Sequence, residues 1–212
     1  MHRYRDGESG IQANLNDYAF LIYGYLELYQ ATLEEKWLIE SKRLAGEMLA
    51  DFWDNKGDGF FLTAKNAEPL ITRPKELYDG AVPSGNSVAI LDLVLLNYFT
   101  GEAEYEKKAE EAIRVFSSKV AEDPMSYPQL LIALDAWMGP FREIVLAALT
   151  PEDSVVKKML AELVSEFRPD QIVQFDASRA VEGKTTAFVC QNRVCKLPVY
   201  TVEELKKALK GS

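Results

Sequence analysis

Two aspartates, Asp17 and Asp79, each stand beside a tyrosine, Tyr18 and Tyr78, and just before or at the start of an apolar run. A pair of carboxyl groups is what glycoside chemistry requires, one as acid and the other as base or nucleophile. Aromatic rings can in turn stack on a pyranose, and Tyr18, Tyr78 and Phe60 are placed for that role. Plainer readings stand beside these: Asp17 as a helix cap and Asp79-Gly80 as a turn. Tyr25 and Trp137 fall at helical spacing and read as core. Arg73 and Lys75 could hold an anionic group, the arginine through its planar fork, or could pair with Glu68 or Glu76. Ser84-Gly-Asn-Ser87 opens a second apolar helix. Its amides, with Asn86 among them, could meet an anion or a sugar hydroxyl, although Ser84 is equally a good N-cap. No Gly-Lys-Ser/Thr follows, so this is not a nucleotide-phosphate loop.

The rest of the composition narrows the chemistry. The single histidine, His2, lies at the N-terminus, which disfavours Ser-His-Asp and Cys-His catalysis. Cys190 and Cys195 are separated by four residues, unlike the two of a thioredoxin motif. They cannot complete a four-ligand zinc site, so neither a metal nor a cofactor is expected. Free thiols are the favoured reading; a pair across a β-turn or a redox-sensitive disulfide are the alternatives. With 33 acidic against 24 basic residues the net charge is -9, which argues against nucleic-acid binding. No apolar run reaches a membrane span, and the residues Met1 to Gly7 lack the apolar stretch of a signal peptide. The expectation is a soluble, cytoplasmic protein.

Helices must position these groups. Segments around residues 16–53 and 84–121 repeat with an offset of 68 residues. Trp37, Ser41, Leu44, Ala45, Met48, Leu49 and Phe52 correspond to Tyr105, Ala109, Ala112, Ile113, Phe116, Ser117 and Val120, and each set lines one helical face. Residues 18–29 and 88–99 are instead apolar nearly all round, which predicts helices covered on several sides. Short connections make each inner helix and the outer helix after it an antiparallel hairpin. A third inner helix is expected over residues 127–138, stopped by Gly139-Pro140. About two and a half hairpins of this kind suggest an arc of an α/α toroid over residues 1–140. The 54–83 connection, with Pro69 inside it, is too long to be idle, and Gly57-Asp-Gly-Phe-Phe61 reads as a tight turn into a short strand. Residues 141–212 read as a small α/β appendage: strands at 144–149, 171–175 and 186–190, and helices at 152–167, with Pro151 at its start, and 202–209.

Five stretches in order carry a resemblance: Asn16-Asp-Tyr-Ala-Phe-Leu21, Asp58-Gly-Phe-Phe61, Arg73-Pro-Lys-Glu-Leu-Tyr-Asp-Gly-Ala-Val-Pro-Ser-Gly-Asn-Ser87, Tyr127-Pro-Gln-Leu130 and Val189-Cys-Gln-Asn-Arg-Val-Cys-Lys-Leu-Pro198. Together they resemble the C-terminal part of the YyaL-like family, related to the spermatogenesis-associated thioredoxin-like proteins. The resemblance implies an (α/α)6 barrel like that of six-hairpin glycosidases and N-acylglucosamine epimerases, here without the early hairpins or the thioredoxin-like domain. It adds Asp58 and Glu76 to the carboxylates inside matching motifs and implies a sugar-like small molecule as ligand, with Asp79, Asp17 and Glu76 as candidate catalytic groups. The paired histidines of the related epimerases have no counterpart here. The chain is expected to be a fragment, a split gene product or a truncated homologue. An open arc would then be completed by homo-oligomerisation or by a partner chain carrying the missing hairpins.

Overall fold

In a computed structural model the described residues are 3–68, 71–139, 141–191 and 194–210. His2, Pro69 and Pro140, singled out above, lie outside them, as do Asn192 and Arg193 of the last motif. The fold is mainly α with a small α/β part. It divides into two compact units, Met1–Leu26 with Lys36–Met138, and Glu27–Glu35 with Gly139–Ser212.

The first unit is built around its most apolar segment. Helix α3 (Gly85–Thr100) is buried on every side, as its composition requires, and packs against α4 (Ala103–Glu122) and α5 (Pro128–Met138). Ser84 caps it, its Oγ accepting the Ser87 N–H at 3.1 Å. Gly101 ends it in the left-handed conformation, φ 71°, and donates its N–H to Asn97 O. The outer helices α2 (Glu35–Phe52) and α4 bury the faces their spacing marks: Ser41, Leu44, Ala45, Met48 and Phe52 on one, and Tyr105, Ala109, Ala112, Phe116 and Val120 on the other. Lys42 joins the two helices through Glu102 at 2.7 Å.

Helix α1 (Leu15–Thr32) corrects an expectation. It is not covered all round, because Phe20 and Leu21 remain exposed. Helix α5 departs in the same way: it buries Leu130, Ala133 and Ala136 but leaves Ile132, Trp137 and Met138 in solvent. The tight turn at Gly57 is present, but the strand expected after it is reduced to one bridge, Trp53 to Phe60. A short hairpin, β1 (Arg3–Arg5) with β2 (Glu8–Gly10), had no periodicity to announce it. No helix among the described residues is long and apolar enough to cross a membrane.

The second unit holds a four-stranded sheet in the order β4-β3-β5-β6. Strand β3 (Arg142–Ala147) runs parallel to β4 (Gln171–Phe175) and antiparallel to β5 (Thr186–Gln191), while β6 (Val194–Cys195) returns antiparallel to β5. Helix α6 (Ser154–Leu163) is shorter than expected. Asp153 rather than Pro151 sets its start, the carboxylate accepting from Val155 and Val156 N–H. With α7 (Val202–Lys210) it covers a core that includes Ile144, Leu146, Met159, Val189 and Leu205. The last turn of α1 belongs here too. Gln30 Oε1 and Tyr29 Oη accept the Val173 and Phe175 N–H at 3.1 and 3.3 Å, so side chains satisfy amides of β4 that would otherwise be an open edge.

Candidate functional site

Of the expected site residues, Phe60, Glu76, Asp79, Ser84 and Asn86 meet where the 54–83 connection crosses the start of α3. The segment from Glu76 to Gly80 alternates as a strand does: Leu77 and Asp79 turn inward, Glu76, Tyr78 and Gly80 outward. Asn86, fully buried in the first turn of α3, faces this segment and Phe60 together. Its Oδ1 accepts the Phe60 N–H at 2.9 Å, and its Nδ2 donates to Phe60 O at 2.9 Å and Glu76 O at 2.8 Å.

Asp79 is buried beside it. Its Oδ1 accepts from Ser84 N–H at 2.8 Å, and its Oδ2 from the N–H groups of Gln129 and Leu130 at 2.9 and 3.1 Å. One carboxylate thus closes the turn into α3 and caps the first turn of α5, where orphan amides and the helix dipole favour a negative charge. Asp17 has a similar character. Its Oδ2 accepts the Asn14 N–H at 2.9 Å while Asn14 Oδ1 accepts the Asp17 N–H at 3.2 Å, a reciprocal capping arrangement at the start of α1. Both carboxylates therefore hold backbone.

The cations are engaged as well. Lys75 Nζ meets Asp54 Oδ2 at 2.7 Å and donates to the carbonyls of Gly57 and Asp58, which holds the Asp54 carboxyl below its usual range. Neither Glu68 nor Glu76 is its partner. Arg73 donates to Thr63 O and lies 4.1 Å over the Phe61 ring. Phe60 is fully buried and meets Trp53 edge-on at 4.9 Å, which removes it from any exposed stacking surface. Gly59 beside it adopts φ +72°, and an added Cβ would lie 2.8 Å from Phe116 Cζ, so the turn needs glycine on both counts. Tyr18 donates to Glu47 at 3.3 Å; burial first, then Glu47, raises its phenol above the usual value. Tyr78 alone among the expected aromatics is widely exposed, at 67%.

One buried group outside these motifs escaped sequence reasoning. Asp92 lies fully buried in the middle of α3, and neither carboxylate oxygen has a hydrogen-bond partner among the described residues. Burial pushes its carboxyl well above the usual range. An aspartate breaking the apolar run of residues 88–99 was the available signal. In the second unit, Cys190 and Cys195 form a disulfide, which corrects the expectation of free thiols. They sit directly opposite each other on β5 and β6, so chain reversal brings together two residues that spacing alone leaves undecided. No group of three or more metal-ligating side chains occurs among the described residues.

No protein-family model matches the chain. It is 32% identical over 213 residues to spermatogenesis-associated protein 20 of Homo sapiens, a match covering 92% of this chain and 27% of the relative. The Mus musculus protein of the same name is 30% identical over 212 residues, again covering 92% of this chain and 27% of the relative. An uncharacterised protein of Caenorhabditis elegans is 27% identical over 214 residues, covering 95% of this chain and 29% of the relative. The chain spans less than a third of the length of these curated relatives.

Proposed function

We propose that the chain is an assembly module of a protein of the spermatogenesis-associated type, whose apolar helix flanks receive further helical hairpins. One observation carries this reading. Helix α3 is buried on all sides, whereas α1 and α5, similar to it in composition, leave Phe20, Leu21, Ile132, Trp137 and Met138 in solvent. Large apolar side chains left bare in this way suit docking. The repeat of 68 residues suggests what docks: a hairpin of the same inner-and-outer pattern, continuing the arc towards an α/α toroid. The relatives have length for such hairpins, since the match covers only 27% of the human protein.

A carboxylate mechanism on a sugar-like substrate has less support. A general acid or base must keep an oxygen for the reacting proton, whereas Asp79 spends both of its oxygens on backbone N–H groups and Asp17 one of its two.

The test mixes this chain with a separately purified polypeptide holding the unmatched part of the human relative, and measures mass by light scattering. A mixed complex is expected, and Phe20→Glu with Ile132→Glu should abolish it while leaving the circular dichroism spectrum unchanged. Two monomers that ignore each other would overturn the proposal. So would a homodimer sealed through the same residues, since a second copy would then be the occupant.

A further inference from the structure

The disulfide of the second unit has unlike surroundings at its two sulfurs. Arg179, at the end of a short 3-10 turn (Ala177–Arg179), places Nη2 3.4 Å from Cys195 Sγ and its guanidinium 4.4 Å over the Phe188 ring. Phe188 and Cys190 alternate along β5 with Ala187 and Val189, which face the core, so ring, disulfide and guanidinium share the other face. On that face the register sets Glu143 of β3 directly across from Cys190. Cys190 is 1% exposed and Cys195 is half-buried. A cation therefore attends the accessible sulfur, and a carboxylate residue neighbours the buried one.

A structural staple is a weak account of this bond. A separation of only 5 residues closes a small loop, which restricts the unfolded chain less than a long one would, and the strand pairing already joins the two residues. We infer that Cys190 and Cys195 form a thiol–disulfide exchange site, in which Cys195 meets external dithiols and disulfides, Arg179 holds its thiolate and Cys190 resolves.

In the reducing half, a thiolate of an external dithiol attacks Cys195 Sγ. The Cys190–Cys195 bond breaks, and Cys190 leaves with the electron pair and takes up a proton. The dithiol's second thiolate then closes its own disulfide and expels Cys195 as a thiolate beside Arg179. In the other half, Cys195 attacks a substrate disulfide and releases one substrate thiolate. Cys190 gives up its proton and attacks Cys195 Sγ, releasing the second thiolate. Two electrons pass from dithiol to substrate disulfide, and the protein returns to its oxidised form.

The full chain is reduced with dithiothreitol, and each cysteine's alkylation by iodoacetamide is followed across pH by mass spectrometry. Cys195 should react ahead of Cys190. Arg179→Gln should slow Cys195 about tenfold at neutral pH, the equivalent of one pKa unit, with Arg179→Lys recovering most of the rate. Dithiothreitol-driven reduction of insulin by the chain should be lost in Cys195→Ser. A staple would change thermal stability but leave these profiles alone. A disulfide inert to dithiothreitol in the folded chain, faster alkylation at Cys190, or a Cys195 pH profile indifferent to Arg179 would each overturn the assignment.

Discussion

Asn86 holds Phe60 as an adjacent strand would, its amide accepting the Phe60 N–H and donating to the Phe60 carbonyl, both at 2.9 Å. Because Nδ2 also reaches Glu76 O, one side chain fastens two distant parts of the 54–83 connection to α3. That connection is held by side-chain bonds of this kind together with scattered backbone bonds such as Leu62 N–H to Pro74 O, in place of a regular sheet. Every buried backbone group on it needs a partner.

Asn86→Ala should therefore be severe. It would leave the Phe60 N–H and carbonyl buried without partners, at about 1–3 kcal/mol for each group stranded. Asn86→Asp should fare no better, because a carboxylate would face the Phe60 and Glu76 carbonyls with nothing to donate. Urea unfolding should show both midpoints well below that of the parent, with an unchanged denaturant slope.

Asp79 offers a sharper test, since a catalytic and a scaffolding carboxylate fail differently. Asp79→Ala removes the acceptor from three backbone N–H groups, two of them in the first turn of α5. The expected loss is about 2–4 kcal/mol, the upper part of the range for a helix cap and for stranded amides. Asp79→Asn should also destabilise, because its amide nitrogen would oppose a donor on one side. Any turnover of aryl glycosides by the parent should persist in both variants under conditions where they remain folded. Selective loss of that turnover would return Asp79 to catalysis.

Legibility in the sequence followed the strength of local patterns. The buried faces of α2 and α4 could be read because apolar residues recur at helical spacing against charged neighbours. Strand β4 could be read to its ends because turn residues bound it. The exposed flanks of α1 and α5 could not: an apolar helix shows that cover is needed, not whether a neighbour supplies it. The roles of Asn86 and Asp79 were hidden for another reason. Their partners lie 26 and 51 residues away at the extremes, and no spacing rule connects them. Cys190 and Cys195 needed the β5–β6 register before their pairing could be decided.

Asp92 supplies a prediction with a definite sign. Its carboxyl is protonated in the folded chain well above the pH at which the unfolded chain, near the ordinary value of 3.8, ionises. Between those limits the native state binds more protons than the unfolded state, so stability falls as pH rises from about 4 towards the raised folded value. Asp92→Asn removes the ionisation and should flatten that decline, though its amide remains buried among apolar neighbours. Asp92→Leu removes the polar group as well and should raise stability at neutral pH by about 1–3 kcal/mol, the cost of a buried polar group left without a partner. Thermal unfolding of the three proteins between pH 5 and 8, a range we choose to lie above about 4, would test this. Parallel parent and Asn curves would mean that Asp92 does not titrate on unfolding. A Leu variant less stable than the parent throughout would mean that the carboxyl is satisfied in α3 and contributes to its packing.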